Sequence, residues 1–432
     1  RGSEAATVHD AVFRVDASGG LEPLAGALET HLTLDVSRPR IGKALTATYG
    51  TLFGLAPTYS FAWTRAGTDK NYASTPFAKT GSYKPTASDL EHWIKVVAKD
   101  GEKKVLEKEF FFSRLPVIYL TTDDHATPSK SKEEHTGTLY AQGNDDWKSL
   151  YDGKMTIKVR GNSTASYPKK PWKIKLDKKT KMFDIPKSKH WVLLANAMDP
   201  SGYRNKLAYD FANEIGGLAM QSTFVSVFMN GTYRGVYQFC QHVRIAEDRV
   251  NVYDWESAGE DVAKALVKSA KLSDEAKDAL KDEMGTDFQW VTSGKVTYDD
   301  VTYDLGEYVK DFASYTNDIS GGFLYELDGK SGDALTKLSV SCNGSVPTHV
   351  EGPETLYTNS KMKTAAQDAL QAFFDAATSV DGYTGGKAFS ELGDVDAAVG
   401  YFLAMEMTGN YDAALNSRFA YKEKGNPVVF GP

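Results

Sequence analysis

Residues 155–176 read MTIKVRGNSTASYPKKPWKIKL, and this stretch decides how the surrounding chain is expected to fold. Apolar and polar residues alternate at its two ends, which predicts two β-strands that each bury one face. The segment between the strands is rich in Gly, Asn and Ser, and such a loop can present backbone amides to an anion. Lys173 and Lys175 share one face of the second strand. A lysine beside this loop predicts a phosphate-binding site, although a solvated amphipathic strand would explain the same alternation without a ligand.

The region before this stretch, residues 8–113, shows short alternating runs separated by turn residues, which predicts an all-β sandwich. Its motifs resemble those of bacterial immunoglobulin-like modules, in which Gly usually stands where this chain has Glu91. Trp63 is expected to be the buried plug of the sandwich and Asp89 to stabilise a turn. The motifs that carry this resemblance are at residues 40–45, 61–63 and 82–90.

The rest of the chain has a β-rich part followed by a helical part. Residues 114–255 contain strand patterns and one helix, whereas residues 256–432 are mainly helical with short β pieces near residues 322–327 and the C-terminus. This order predicts an α+β domain. The long helical runs are expected at residues 260–284, 361–377 and 394–408.

The composition excludes several classes of protein. The 432 residues include 50 basic and 57 acidic ones, a net charge of −7, which argues against a protein whose main role is to bind nucleic acid. No apolar stretch is long enough to span a membrane. Cys240 and Cys342 are too few for a disulfide framework, and we expect free, mostly buried thiols. The sequence also lacks the motifs of zinc hydrolases, serine hydrolases and phosphate loops.

Two further patterns suit metal-assisted phosphoryl transfer. Asp412 precedes Asn416 after an apolar helix, and in such a pair the Asp can orient an attacking hydroxyl while the Asn amide oxygen helps to hold a metal ion. Residues 321–328 form a Gly-led strand with two acids, which could bind metal or substrate. Structural explanations remain open for both, because Asp and Asn are common in caps and turns and a buried strand can have a charged end.

From about Leu115 onward the chain resembles the CotH kinase family, named for spore-coat protein H. The matching motifs follow the family's order and extend over roughly three quarters of the chain. They lie at residues 115–120, 160–163, 168–175, 191–196, 204–208, 230–237, 321–328 and 410–412. The resemblance implies an atypical protein-kinase-like fold that binds ATP with Mg²⁺ or Mn²⁺ and transfers phosphate to Ser or Thr of proteins.

The expected fold is therefore multidomain. An all-β immunoglobulin-like sandwich at residues 8–113 precedes an α+β bilobal protein-kinase-like domain at residues 114–432, with an N-lobe at about 114–255 and a C-lobe at about 256–432.

The resemblance also implies roles for individual residues. Lys175 corresponds to the strand lysine that pairs with the ATP phosphates, Asp412 to the catalytic-loop aspartate and Asn416 to the asparagine on the metal side. Glu214 is assigned as the partner of Lys175 from the general logic of kinases and not from a motif match. The loop near the nucleotide, which stands in for the Gly-rich loop of ordinary kinases, would contain Arg160, Asn162 and Ser163.

Three departures from the expected pattern bear on activity. Asp412 and Asn416 are four residues apart, whereas ordinary kinases separate this pair by five. Gln241 stands where the family usually has an acidic residue, so recognition of the purine or contacts between lobes are expected to differ. The family continues after a Gly-Pro pair with a Trp and an Asp-Phe-Asp motif that supplies a metal ligand, and the sequence ends at Pro432. We therefore expect a chain truncated before that ligand.

Three functions stay open at this point. The first is a metal-dependent kinase, secreted or on the surface of a bacterium, with a spore coat as one setting. Its partners would be a Ser- or Thr-containing protein substrate and a surface or cell-wall partner of the immunoglobulin-like module, with no nucleic acid and no membrane span. Residues 1–3 are typical of a tag remnant, so a secretion leader is expected to have been removed. The second function is a pseudokinase-like scaffold of a coat or extracellular assembly, and the third is carbohydrate binding by tryptophans of the sandwich.

Overall fold

The structure is a computed structural model of the chain. It describes residues 13–15, 21–23, 32–36, 38–49, 58–129, 133–143, 148–329, 334–414 and 416–431. Pro432 and, within the predicted sandwich, residues 8–12, 16–20, 24–31, 37 and 50–57 lie outside the described residues.

The chain divides into two compact units. The first unit consists of Arg1–Val159, Trp172–Lys189 and Phe224–Phe239, and the second of Arg160–Pro171, His190–Thr223 and Cys240–Pro432. The expected boundary between a sandwich and a kinase-like domain at residues 113 and 114 stays a prediction.

Antiparallel strands form the N-terminal part of the first unit. They are β1 (Phe13–Val15), β2 (Leu21–Pro23), β3 (Leu45–Thr46), β4 (Ser60–Ala66), β5 (Ser82–Tyr83), β6 (His92–Asp100) and β7 (Lys103–Phe112). β4, β6 and β7 make a three-stranded sheet, β3 pairs with β5, and β1 pairs with β2. Trp63 on β4 is fully buried, and its indole nitrogen donates a hydrogen bond of 2.8 Å to the Thr80 carbonyl. The expectation that Trp63 fills the core is confirmed, so this side chain has no free ring face for a sugar.

The turn before β6 is organised by the buried carboxylate of Asp89. This carboxylate accepts hydrogen bonds from the Thr86 backbone amide at 2.7 Å and from the Tyr83 hydroxyl at 2.6 Å, and it pairs with Arg65. The expected role of Asp89 as a turn stabiliser is therefore confirmed. Glu91 lies two residues later with φ +62°, a backbone conformation that favours Gly.

Strands and one helix follow, as the alternation of apolar residues predicted. They are β8 (Val117–Thr122), β9 (His135–Gln142), β10 (Ser149–Val159), β11 (Trp172–Met182), β12 (Ile185–Leu194), α1 (Arg204–Glu214), β13 (Ser222–Met229) and β14 (Thr232–Gln241). The strands close a barrel in the order β10-β11-β12-β14-β13-β8-β9, with β8 and β13 parallel. The two strands predicted at the ends of residues 155–176 are confirmed as parts of β10 and β11. Their buried side chains are Met155, Ile157, Val159, Trp172, Ile174 and Leu176.

Most of the remaining elements belong to one hydrophobic core in the second unit. Its helices are α2 (Trp255–Ala270), α3 (Asp274–Thr286), α4 (Gln289–Ser293), α5 (Leu305–Tyr308), α6 (Ala313–Thr316), α7 (Ser360–Thr378), α8 (Phe389–Leu392) and α9 (Val395–Thr408). Its strands are β15 (Lys295–Tyr298), β16 (Val301–Asp304), β17 (Phe323–Leu327), β18 (Lys337–Ser341), β19 (Ser345–Gly352), β20 (Tyr383–Thr384), β21 (Lys387–Ala388), β22 (Arg418–Lys422) and β23 (Val428–Phe430).

Two expectations for this part of the chain need correction. The run at residues 260–284 is two helices, because Lys271 ends α2 in the left-handed conformation and the Ser273 side chain then caps α3. Helices still hold the larger share of this region, as expected, but its strands are not isolated short pieces, since five of them form a sheet in the order β18-β19-β17-β22-β23 that packs with α2 and α7. Of the helices in the described residues, none is both long and apolar enough to cross a membrane.

Candidate functional site

The structure brings the predicted pair Asp412 and Asn416 into direct contact. α9 ends at Thr408, Gly409 follows with φ +61°, and a short 3-10 turn (Tyr411–Ala414) carries Asp412. The Asn416 side-chain amide donates a hydrogen bond of 3.2 Å to an Asp412 carboxylate oxygen, and the Asn416 backbone amide donates to the Asp412 carbonyl at 2.8 Å. Asp412 is exposed and Asn416 is half-buried. One side of this turn therefore offers a carboxylate and an amide to solvent.

A second carboxylate, that of Asp328, belongs to the strand end beside this turn. β17 pairs with β22, and its last residue, Leu327, lies opposite Arg418, the first residue of β22. Asp328 follows β17 and Asn416 precedes β22, so both residues lie at the same end of this strand pair. A Cβ atom on Gly329 would lie 3.8 Å from the Asn416 side-chain oxygen. Asp328 is only 3% exposed. The sequence singled out residues 321–328 for their acids but did not assign Asp328 to the site, because the pairing of β17 with β22 is not visible in the sequence.

This set of side chains suits a hard cation that shares its coordination with phosphate. Two carboxylates and an amide oxygen are ligands that Mg²⁺ accepts, and Mg²⁺ in phosphoryl-transfer sites is usually held by one or two carboxylates plus substrate phosphates. Within the described residues, no group of three or more His, Cys, Asp or Glu is arranged to hold a metal by itself. These side chains therefore suit a metal ion that binds together with a nucleotide. They suit a structural metal ion held by protein ligands alone less well.

The predicted nucleotide-binding residues 160–163 begin the loop between β10 and β11, which spans residues 160–171 and is tied together by its own hydrogen bonds. The Arg160 backbone amide donates to the Pro171 carbonyl at 3.1 Å, and the Lys170 ammonium donates to the Ala165 carbonyl at 2.7 Å. Gly161 has φ +86°, and a Cβ atom there would clash with the Thr164 hydroxyl. Asn162 and Ser163 are exposed at the tip.

The loop also contains a partly buried cation, Lys169. Burial lowers the pKa of the Lys169 ammonium from its usual value, since a desolvated ammonium favours its neutral form.

Arg160 lies near the end of β14, where the predicted residue Gln241 is found. Burial raises the pKa of the Cys240 thiol to about 12, and the neighbouring Arg160 and Arg249 guanidinium groups oppose that rise. The Gln241 side chain is buried: its oxygen accepts from the Gln221 backbone amide at 3.0 Å, and its nitrogen donates to the Asp248 carboxylate at 3.0 Å. An amide can donate to Asp248 where an ionised carboxylate would be repelled, which gives a physical reason for Gln at this position.

The two remaining predicted residues are exposed. Lys175 lies on β11 in the first unit, opposite Thr156 of β10, and Glu214 is the last residue of α1 in the second unit. The expected pairing of Lys175 with Glu214 stays a prediction.

Comparison with protein-family models matches residues 157–432 to the family described as CotH kinase protein. This match covers well over half of the chain and includes every residue assigned to the site. A search of curated proteins gave no significant match.

Proposed function

The chain belongs to the CotH kinase protein family, and from this premise we propose that it transfers the γ-phosphate of ATP to Ser or Thr side chains of proteins in the presence of Mg²⁺ or Mn²⁺. The observation that carries the proposal is the contact between Asp412 and Asn416 beside the strand end that bears the buried Asp328. Phosphoryl transfer needs mainly positioning and charge stabilisation, so a small set of oxygen ligands and one oriented hydroxyl are sufficient protein chemistry.

Each side chain has a distinct part in this proposal. The Asp412 carboxylate accepts a hydrogen bond from the attacking hydroxyl and aligns it with the phosphate. Asn416 and Asp328 hold the metal, which when bound neutralises charge on the phosphate oxygens. Lys175 pairs with the ATP phosphates, and Glu214 orients Lys175. The loop formed by Arg160, Asn162 and Ser163 covers the phosphates, while Gln241 fixes the chain near the purine.

We further propose the setting in which this chemistry takes place. Residues 8–113 act as an immunoglobulin-like sandwich that attaches the protein to a surface or cell-wall partner. Residues 114–432 act as the bilobal kinase-like body, outside the cell or at the surface of a bacterium, with a spore coat as one such setting. The β-strands found in the described parts of residues 8–113 are compatible with this division.

Thermal unfolding with ATP tests the proposal directly. We expect ATP with Mg²⁺ or Mn²⁺ to raise the melting temperature, because a ligand at about 100 times its dissociation constant stabilises the folded chain by about 2.7 kcal/mol. The rise should require metal and disappear in Lys175→Ala. Lys179→Ala is the matched control, because Lys179 is also exposed on β11 and lies outside the motif. A wild-type chain that shows no metal-dependent rise, or one that Lys175→Ala retains, contradicts the proposal.

A second candidate function, a pseudokinase-like scaffold, is favoured by the state of Gln241. Both polar atoms of this side chain are used inside the protein, so the residue offers no free group to a purine. A scaffold would bind its partner protein equally well with and without ATP and would transfer no phosphate.

A further inference from the structure

Positive charge is concentrated in one part of this acidic chain. Between residues 148 and 190 the sequence has twelve Lys and one Arg but only three Asp and no Glu, a net charge of +10 in a chain whose total is −7. This segment contains β10, β11 and the start of β12, so most of the excess is carried by strands of the barrel.

Apart from Lys178, the lysines of β10 and β11 fall on the outward side of these strands. Alternate residues are buried over residues 155–159 of β10 and 172–176 of β11, and Met182 at the end of β11 is buried in the same phase, so the intervening positions point away from the core. We name these outward lysines the lysine face. The lysine face consists of Lys154, Lys158, Lys173, Lys175, Lys179 and Lys181.

Two carboxylates on the same side of these strands are engaged by donors outside the lysine face, and a third pairs with one lysine of the face. Asp152 accepts from the Arg38 guanidinium at 2.8 Å, and Asp177 accepts from the Tyr151 hydroxyl at 2.6 Å. Asp184, in the turn after β11, pairs with Lys181 at 3.4 Å. In the part of the chain that the structure describes, Lys154, Lys175 and Lys179 are in no ion pair, and all three are exposed.

The strand register places two cations side by side on this surface. Lys158 of β10 lies directly opposite Lys173 of β11. An anion bound across the two strands would lie close to both of these cations.

We propose that the lysine face binds an extended acidic segment of a partner polypeptide. Outward side chains along a strand repeat at about 6.6 Å, and neighbouring strands are about 4.8 Å apart, so an extended chain with acidic residues at every second position has a matching charge spacing. The outward positions of β10 and β11 include no aromatic side chain on which a base could stack and no Arg that could grip a phosphate with two hydrogen bonds. These features favour a carboxylate-rich polypeptide over a nucleic acid. The binding does not depend on the proposed phosphate transfer.

Fluorescence anisotropy with a labelled peptide of alternating Glu and Ser tests this proposal on the full chain without ATP. We expect binding at low salt that weakens as salt screens the charges. The triple variant Lys154→Gln, Lys158→Gln and Lys179→Gln should weaken binding by about ten-fold or more, since three attractive charges are removed. This triple variant keeps Lys175, the proposed ATP-binding residue. Loss of peptide binding in it can therefore be distinguished from a failure of the proposed ATP site.

The control triple variant Lys268→Gln, Lys310→Gln and Lys361→Gln makes the same change in net charge at exposed lysines of the second unit. It should bind the peptide as the wild type does, and a triple Lys→Arg variant of the three face positions should also retain binding. The proposal is overturned if the wild type does not bind the peptide, if the control triple variant loses as much affinity, or if an oligonucleotide of equal charge binds more tightly.

Discussion

At the scale of single residues, the four-residue spacing between Asp412 and Asn416 brings their side chains into contact. The Asn416 backbone amide donates a hydrogen bond to the Asp412 carbonyl and so closes one helix-like turn. Side chains four residues apart on such a turn are neighbours, which explains why these two meet. The sequence suggested this pair from residue types alone. It could not suggest that Asp328 belongs beside them, because that neighbourhood is created by the pairing of Leu327 with Arg418, far away in the chain.

Asn416→Ala is predicted to weaken the response to metal more than the binding of ATP. Loss of one oxygen ligand should raise the metal concentration needed for half-maximal thermal stabilisation by ATP about ten-fold. Asn416→Asp, which keeps an oxygen at the same place, should restore most of the response. A titration with Mg²⁺ at fixed ATP measures this, and unchanged half-saturation in Asn416→Ala would remove Asn416 from the metal site.

The two thiols are predicted to react very differently. Cys240 is buried and its pKa is raised to about 12, so only about one thiol in ten thousand is ionised at pH 8. Cys342 is partly exposed in the turn between β18 and β19. A thiol reagent at pH 8 should therefore modify Cys342 in the folded chain and Cys240 only in urea, and should modify no thiol in folded Cys342→Ser. Equal reaction rates of both thiols in native buffer would contradict the buried position of Cys240.

At the scale of secondary-structure elements, alternation of apolar and polar residues was a reliable guide to the longer strands that bury one face. β10 and β11 were predicted for this reason, and Trp172 and Ile174 are indeed in the core. The break between α2 and α3 was not predicted, although Ser273 followed by two acidic residues is a helix-start signal; the left-handed Lys271 itself has no signal in the sequence. β18 and β19 were also missed, although Leu338 and Val340 alternate with polar residues in β18, because a run of five residues is too short to stand out in the sequence.

The left-handed residue that ends α2 supplies a test at this scale. Lys271 has φ +57°, and a residue with a side chain is strained there by about 1 kcal/mol relative to Gly. Lys271→Gly should therefore raise the free energy of unfolding by about 0.5–1 kcal/mol, measured by urea denaturation. Lys268→Gly, one turn earlier inside the helix, should lower it by a similar amount. Destabilisation by both substitutions would show that α2 does not end at Lys271.

At the scale of the whole molecule, the order of motifs predicted more than the composition did. Motifs spread over roughly three quarters of the chain indicated the family, and the family match over residues 157–432 confirms that prediction. Composition gave only the net charge of −7, which conceals the positive segment between residues 148 and 190. The closed seven-stranded barrel was not predicted. It depends on the pairing of β8 with β13, two strands about a hundred residues apart in the sequence, and no local pattern indicates such a pairing.

The central claim is that this chain transfers phosphate from ATP with a metal and with Asp412. The most direct measurement incubates the chain with ATP labelled at the γ-phosphate, Mg²⁺ or Mn²⁺ and a mixture of acceptor proteins, and counts label on Ser and Thr. We predict metal-dependent labelling by the wild type that falls about 100-fold or more in Asp412→Asn, because the hydroxyl is no longer oriented by a carboxylate. Labelling that persists unchanged in Asp412→Asn, or a wild type that binds ATP and metal but labels no acceptor, would contradict the claim.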